Sequence, residues 1–229
     1  MTISERLKQI IDMVPASDTV ADIGCDHGKV AVTLIQSGKA KRVVCGDISP
    51  GSLDKARKLA HASALSQSVA LRRGDGLSVL AVGEADVAVI AGMGGELIIR
   101  LLDKDADKAP GTLVLSCNRD TAQLRQWLVT HGYCIEDEVL LFENGHLYPI
   151  IRAVKGESRE LTDIELEFGP VLLQKKPELL GRFLQRCIQE AQTIRDNLEK
   201  SKARKKQQLL DEINERLSKY AEVEKWLSE

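Results

Sequence analysis

Short runs of β-prone apolar residues alternate, over the first 156 positions, with longer segments whose apolar residues recur every three or four places. Leu7, Ile10, Ile11 and Val14 fall at helical spacing and predict a leading helix that covers one edge of a sheet. Runs at 19–23, 42–45, 69–72, 86–90 and 112–116 are rich in Val, Ile, Leu and Thr and predict strands, with intervals long enough for crossover helices. That is the βαβ rhythm of an open, doubly wound α/β sheet. After a predicted helix at 120–130 the rhythm changes. Residues 133–143 and 146–154 form two extended runs joined by Asn144-Gly145, a pair that supplies the positive φ of a hairpin turn. The expected sheet has seven strands and ends in an antiparallel hairpin.

Beyond residue 156 the pattern turns helical. A short stretch containing Phe168-Gly169-Pro170 leads into residues 178–229, where Gly181 is the only glycine and proline is absent. Leu180, Leu184, Cys187, Ala191, Ile194 and Leu198 follow steps of four and three; Leu210, Ile213, Leu217 and Tyr220 resume them, with Leu227 one heptad on. The polar interval 199–208 lacks an apolar seam and is expected to be the tip of an antiparallel helical hairpin. A single extended helix used for dimerisation is the competing arrangement. The expected organisation is a domain over residues 1–156 and a helical domain over 157–229.

Composition narrows the class. With 229 residues and 43% hydrophobic content, the chain has room for one α/β domain and a smaller appendage. No apolar run approaches the roughly 20 residues needed to span a bilayer, and no basic-then-apolar leader opens the chain, so a cytoplasmic location without membrane contact is expected. Cys25, Cys45, Cys117, Cys134 and Cys187 show no paired or histidine-matched spacing, which predicts reduced thiols and no metal site. A net charge of −2 argues against a uniformly basic surface, so any polyanion must meet a patch. One such patch is Lys200-Ser201-Lys202-Ala203-Arg204-Lys205-Lys206, although a solvated helical face fits it equally well.

The candidate chemistry lies at four strand ends: Ala21-Asp22-Ile23-Gly24-Cys25-Asp26-His27-Gly28, Gly46-Asp47-Ile48, Gly74-Asp75-Gly76 and Ala91-Gly92-Met93-Gly94-Gly95. Each follows an apolar run and precedes a helical stretch, where a parallel sheet opens its ligand crevice. Glycines there let backbone amides approach an anionic ligand. Asp47, 23 residues after Gly24, is placed to accept both ribose hydroxyls of a nucleotide cofactor and disfavours a 2′-phosphate. Asp75 is placed to accept from an adenine amino group. Taken singly, Asp26 reads equally as a helix cap and Asp75 as a turn former.

Asp22-x-Gly24-x-Asp26-x-Gly28 resembles the acidic, glycine-rich turn of S-adenosylmethionine-dependent methyltransferases, with Asp26 in place of the middle glycine. Further segments widen the likeness: Gly74-Asp75-Gly76-Leu77, Val89-Ile90-Ala91-Gly92-Met93-Gly94-Gly95-Glu96-Leu97-Ile98, Leu124-Arg125-Gln126-Trp127-Leu128 and Phe168-Gly169-Pro170-x-Leu172-Leu173. Together they resemble the bacterial tRNA (adenine(22)-N1)-methyltransferase family, TrmK, over nearly the whole chain. The resemblance implies a Rossmann-like methyltransferase sheet and S-adenosyl-L-methionine bound by Asp22, Gly24, Cys25, Asp26, Gly28, Asp47, Ile48, Gly74, Asp75, Gly76, Ala91, Gly92, Met93 and Gly94. It also implies methyl transfer to an adenine N1 in tRNA, the chain having no Asn/Asp-Pro-Pro-Tyr/Phe motif of amino-directed enzymes; separately, the hairpin reading of the C-terminal helices makes a monomer the expected state rather than a dimer. Asp26, His27 and Asn118 are the implied catalytic residues, and Lys29, Lys202, Arg204, Lys205 and Lys206 the implied RNA contacts.

Two departures bear on the substrate. Gly28-Lys29-Val30-Ala31 stands where many members have Ala-Tyr-Leu-Pro, and Ser116-Cys117-Asn118 stands where a Gln-Pro-Asn occurs. A methyltransferase acting on another RNA or another substrate, and a non-catalytic RNA-binding module that retains the pocket, remain alternatives. A nicotinamide-dependent oxidoreductase is disfavoured by the missing Gly-x-Gly-x-x-Gly spacing and by the terminal hairpin.

Overall fold

The computed structural model describes residues 2–200 and 205–228. The leading helix α1 (Glu5–Met13) is capped by the Ser4 hydroxyl, which accepts from the Leu7 N–H. Strands β1 (Ser17–Ile23), β2 (Ala40–Asp47), β3 (Val69–Arg73), β4 (Val87–Met93) and β5 (Thr112–Cys117) alternate with α2 (Lys29–Gln36), α3 (Pro50–Ala62), α4 (Gly95–Lys104) and α5 (Thr121–Thr130). The long hairpin β6 (Tyr133–Glu143) and β7 (His146–Lys155) follows, turning at Asn144 and Gly145, both with positive φ.

The sheet order is β3-β2-β1-β4-β5-β7-β6, with the first five strands parallel and β7 antiparallel to β5. The chain reverses direction across the sheet between β1 and β4. In doubly wound folds the ligand crevice opens at that point. One apolar layer, including Ile98, Leu102, Leu124 and Leu128 of α4 and α5, covers one face. A second, with Ile10, Leu34, Leu53 and Ala56 of α1, α2 and α3, covers the other.

The strands outrun their expected limits at the site. β2 runs on through Asp47 and β4 through Met93, so the Ala91-Gly92-Met93 segment is strand and not loop. A register shift against β5 between Ala91 and Met93 accommodates it, with Gly92 at φ +78°. Periodicity misses this because the pairing with β5 continues past a bulge that no alternation pattern marks.

Two short helices, α6 (Asp163–Phe168) and α7 (Pro170–Lys175), occupy the stretch that leads into the long helices. The chain then forms α8 (Glu178–Lys200) and α9 (Lys206–Ser228), each of 23 residues and so about 34 Å long. They pack against each other as a hairpin rather than extending as one helix. Leu180, Leu184, Ala191, Ile213, Tyr220 and Val223 are buried in a third apolar cluster with Phe168, Leu172 and Leu140 of β6. The helices reach further into the polar interval 199–208 than expected, to Lys200 and from Lys206. Ile194, expected in the seam, is 48% exposed.

A fully buried ion pair joins this helical part to the sheet. Arg125 of α5 donates from Nε to Glu138 Oε1 of β6 at 2.8 Å, with side chains 1% and 0% exposed. Arg125 Nη1 also donates to the carbonyls of Leu166 and Glu167, at 2.7 and 3.0 Å. Glu138 Oε2 in turn accepts from the Val171 and Leu172 amides in the first turn of α7, at 2.9 and 3.4 Å. Gly169, at φ +94°, passes so close that a Cβ there would lie 2.6 Å from both Glu138 oxygens.

Candidate active site

The ends of β1 and β2 are laced together by backbone. The Gly24 and Cys25 amides both donate to the Gly46 carbonyl, at 2.8 and 3.2 Å. Gly24, Asp26 and Gly28 all have positive φ, so the turn after β1 curls through left-handed geometry at alternate residues. At Gly28 the curl also needs a missing side chain, because a Cβ there would lie 2.8 Å from the Ala56 Cβ. Gly24 faces the Met93 side chain, whose terminal methyl would be 2.4 Å from an added Cβ. Cys25 is buried, and the neighbouring Cys45 thiol is pushed well up by its hydrogen bond with Cys25 and by burial, which leaves it an inert packing group.

Asp22, Gly24, Cys25, His27, Lys29, Ala91 and Gly92 line one pocket, together with Arg6, Leu7 and Ile10 of α1. Asp22 is only 5% exposed, and its Oδ2 has no hydrogen-bond partner. Burial raises its pKa to about 7; the Asp47 charge adds to the rise and the Ala31 amide opposes it. A buried carboxyl with an unused oxygen at a pocket wall is suited to receive a cationic or hydrogen-bond-donating ligand group.

Asp47 already accepts two amides, Ser49 N–H at 2.8 Å and Asp26 N–H at 3.3 Å, and retains lone pairs for further donors. Ile48 beside it is 65% exposed and offers a bare apolar face. Gly74 ties in through its amide to the Asp47 carbonyl at 3.2 Å. Asp75 is met by Lys104 Nζ at 3.0 Å, a partner that spacing does not reveal, and Gly76 packs on Leu101. Gly94 caps α4, and a Cβ there would strike the Arg119 side chain.

The Asp26 side chain is 65% exposed and lies 3.3 Å from His27 Nε2 and 4.0 Å from Lys55 Nζ. Asn118 lines a different space, a cleft of about 820 Å³ between the end of β5 and the hairpin, walled by Arg119, Tyr148, Phe183, Arg186 and Arg216 among others. Lys29 opens α2 at the first pocket, apart from the hairpin lysines. Lys202 and Arg204 lie outside the described residues. Lys205 is exposed at the hairpin tip, and Lys206 Nζ donates to the Glu199 carbonyl, capping α8. Among the described residues no cluster of three His, Cys, Asp or Glu side chains is arranged to hold a metal, and no helix is long and apolar enough to cross a membrane.

Arg6, Lys104, Arg125 and Glu138 carry roles that sequence reading missed. Leu7 and Ile10 were legible as the buried face of α1, but nothing in the spacing shows that this helix also walls a pocket.

A seven-stranded doubly wound sheet with a terminal antiparallel hairpin, and a glycine-rich turn and acidic residues at successive strand ends, defines a Rossmann-like methyltransferase. The model of the family TrmK, tRNA (adenine(22)-N(1))-methyltransferase, matches residues 20–219, and the chain belongs to that family. It is 31% identical over 231 residues to the tRNA (adenine(22)-N(1))-methyltransferase of Bacillus subtilis (strain 168), covering 97% of each chain. The crystal structure of the B. subtilis M1A22 tRNA methyltransferase TrmK superposes with a TM-score of 0.90 at 30% identity, over 97% of this chain and 99% of that one. A putative tRNA (m1A22) methyltransferase of Streptococcus pneumoniae, solved in complex with S-adenosyl-L-methionine, gives a TM-score of 0.85 at 27% identity, over 97% and 100%.

Proposed function

We propose that this protein transfers a methyl group from S-adenosyl-L-methionine to N1 of adenine 22 in tRNA, as a cytoplasmic monomer without a bound metal. The observation that carries the reading is the convergence of the β1 and β4 ends on one pocket, with the buried, half-satisfied Asp22 carboxyl at its wall. When bound, the cofactor supplies an electrophilic methyl on a sulfonium.

The residues fit that group. Asp22 receives its ammonium; the cradle of Gly24, Cys25 and Gly28 lets the backbone approach, with Ala91, Gly92, Met93 and Gly94 forming the opposite wall. Asp47 accepts the ribose hydroxyls, Ile48 packs on the adenine face, and the Gly74-Asp75-Gly76 turn bounds the ring, with Asp75 accepting from its amine. A target N1 lies on the Watson–Crick edge, so the base enters unpaired or flipped, and positioning at about 3–3.5 Å supplies most of the rate. Asp26, exposed beside His27, accepts from the target N6 amine and stabilises charge developing on the ring. His27 adds a polar contact. The backbone of residues 92–95 bounds the target base, and Asn118 meets it from the adjoining cleft. Residues 1–156 form the catalytic domain and 157–229 the RNA-binding one, with Lys29 near the base and Lys202, Arg204, Lys205 and Lys206 on phosphates.

The test is incubation with radiolabelled S-adenosylmethionine and unmodified tRNA, followed by nucleoside digestion and mass analysis. N1-methyladenosine is expected. Label in a different nucleoside overturns the reading, and Asp26→Asn with full turnover removes the role assigned to Asp26.

A further inference from the structure

Two unlike charges share the first pocket without pairing. Arg6 of α1 and Asp22 of β1 both line this cavity of about 100 Å³, and no ion pair joins them among the described residues. Asp22 Oδ2 and Arg6 Nε are buried atoms without hydrogen bonds, and among the described residues the ion pair that Arg6 does make runs through Nε alone, to Glu143 Oε2 at 3.5 Å. Buried polar atoms left without hydrogen bonds at one small cavity are costly unless a ligand supplies the missing partners.

We propose that Arg6 is the residue that anchors the cofactor's carboxylate, so that Arg6 and Asp22 together read the zwitterionic amino-acid end of the molecule. This rests on the S-adenosylmethionine reading above and assigns a residue that lies outside the glycine-rich turns. The guanidinium is held in advance of binding. Its carbon sits 4.7 Å from the centre of the Tyr148 ring, and its Nε side faces Glu143 Oε2 at 3.5 Å. Among the described residues neither terminal nitrogen of Arg6 makes a hydrogen bond, which leaves the planar fork available for bidentate recognition of a carboxylate. Leu7 and Ile10, one and four residues on, bring apolar surface to the same wall and lower the local dielectric. Tyr148 also lines the large cleft beside Asn118, so the residue that steadies Arg6 touches the space next door.

Lys29 is the competing cation, since it lines the same pocket. Calorimetric binding separates the two. S-adenosylhomocysteine and its decarboxylated analogue, which keeps the amine and loses the carboxylate, are titrated into wild type, Arg6→Gln, Arg6→Lys and Lys29→Met. Arg6→Gln is expected to weaken S-adenosylhomocysteine at least tenfold and leave the decarboxylated analogue within twofold of wild type, with Arg6→Lys between. Failure of both Arg6→Gln and Arg6→Lys to discriminate between the two ligands, or a carboxylate-selective loss in Lys29→Met instead, overturns the assignment. Wild type that binds neither ligand overturns the cofactor reading itself, a distinct result. The decarboxylated analogue also reports folding, because a misfolded Arg6→Gln loses both ligands while a folded Arg6→Lys still discriminates.

Discussion

The joint that docks the helical hairpin and the strand ends that form the site handle buried charge in opposite ways. At the joint, Arg125 and Glu138 are wholly buried and nearly every donor and acceptor finds a protein partner: each other, two carbonyls before α7 and two amides at its start. At the site, Asp22 is as deeply buried but keeps an unpartnered oxygen and a pKa raised to about 7. Satisfied burial makes a rigid connection. Unsatisfied burial is a cost that persists where a ligand is to supply the missing partner.

The largest way to break this contrast is at the joint. Glu138→Ala leaves Arg125 buried and unpaired and strips two amides at the α7 start, and should cost about 3–5 kcal/mol in urea unfolding. Replacing both partners by apolar residues should recover much of that loss; a double variant as unstable as Glu138→Ala would show that the hydrogen bonds to α7, rather than the uncompensated charge, dominate.

Asp22→Asn should act in the opposite direction on the free protein. The folded carboxyl is raised above its ordinary value of 3.8, so its contribution to stability is greatest at low pH and is lost as pH climbs from there to about 7. At pH 8 the variant escapes a penalty of up to about 4 kcal/mol and should melt higher than wild type, with the gain vanishing toward pH 4. Its affinity for S-adenosylhomocysteine should fall. In the wild type, that affinity should rise with pH through about 7, since the ionised carboxyl holds the ligand's ammonium. A pH-independent difference in melting temperature would remove Asp22 from this role.

Smaller is Gly28→Ala, which meets both a left-handed backbone at φ +69° and the Ala56 side chain. A loss of about 1–3 kcal/mol in thermal unfolding is expected. Smallest in stability, Glu replacements of Lys202, Arg204, Lys205 and Lys206 should leave cofactor binding unchanged while weakening tRNA binding and flattening its salt dependence, measured by filter binding across salt concentrations. Unaltered tRNA affinity would reduce the hairpin tip to a structural element.

The same contrast explains what could be read in the chain. The strand runs, the Asn144-Gly145 turn and the heptads at Leu180 and Ile213 rest on local periodicity, and the fold follows them closely. The ordered acids and glycines of the strand ends were visible because each sits at a fixed place relative to its strand. Arg6 was hidden, because only the packing of α1 across the sheet brings it to the pocket that Asp22 also lines. Arg125 lies in a predicted helix and Glu138 in an alternating strand, and a buried pair 13 residues apart announces itself only once α5 and β6 are folded together. Helices α6 and α7, six residues each, are too short for a period to register.

The most direct test of the central claim is methylation of a tRNA transcript bearing adenine at position 22 against the same transcript with guanine there, scored by primer-extension arrest after incubation with S-adenosylmethionine. The account predicts arrest one nucleotide before position 22 in the first and none in the second. Arrest at another position, or equal arrest in both transcripts, would contradict it.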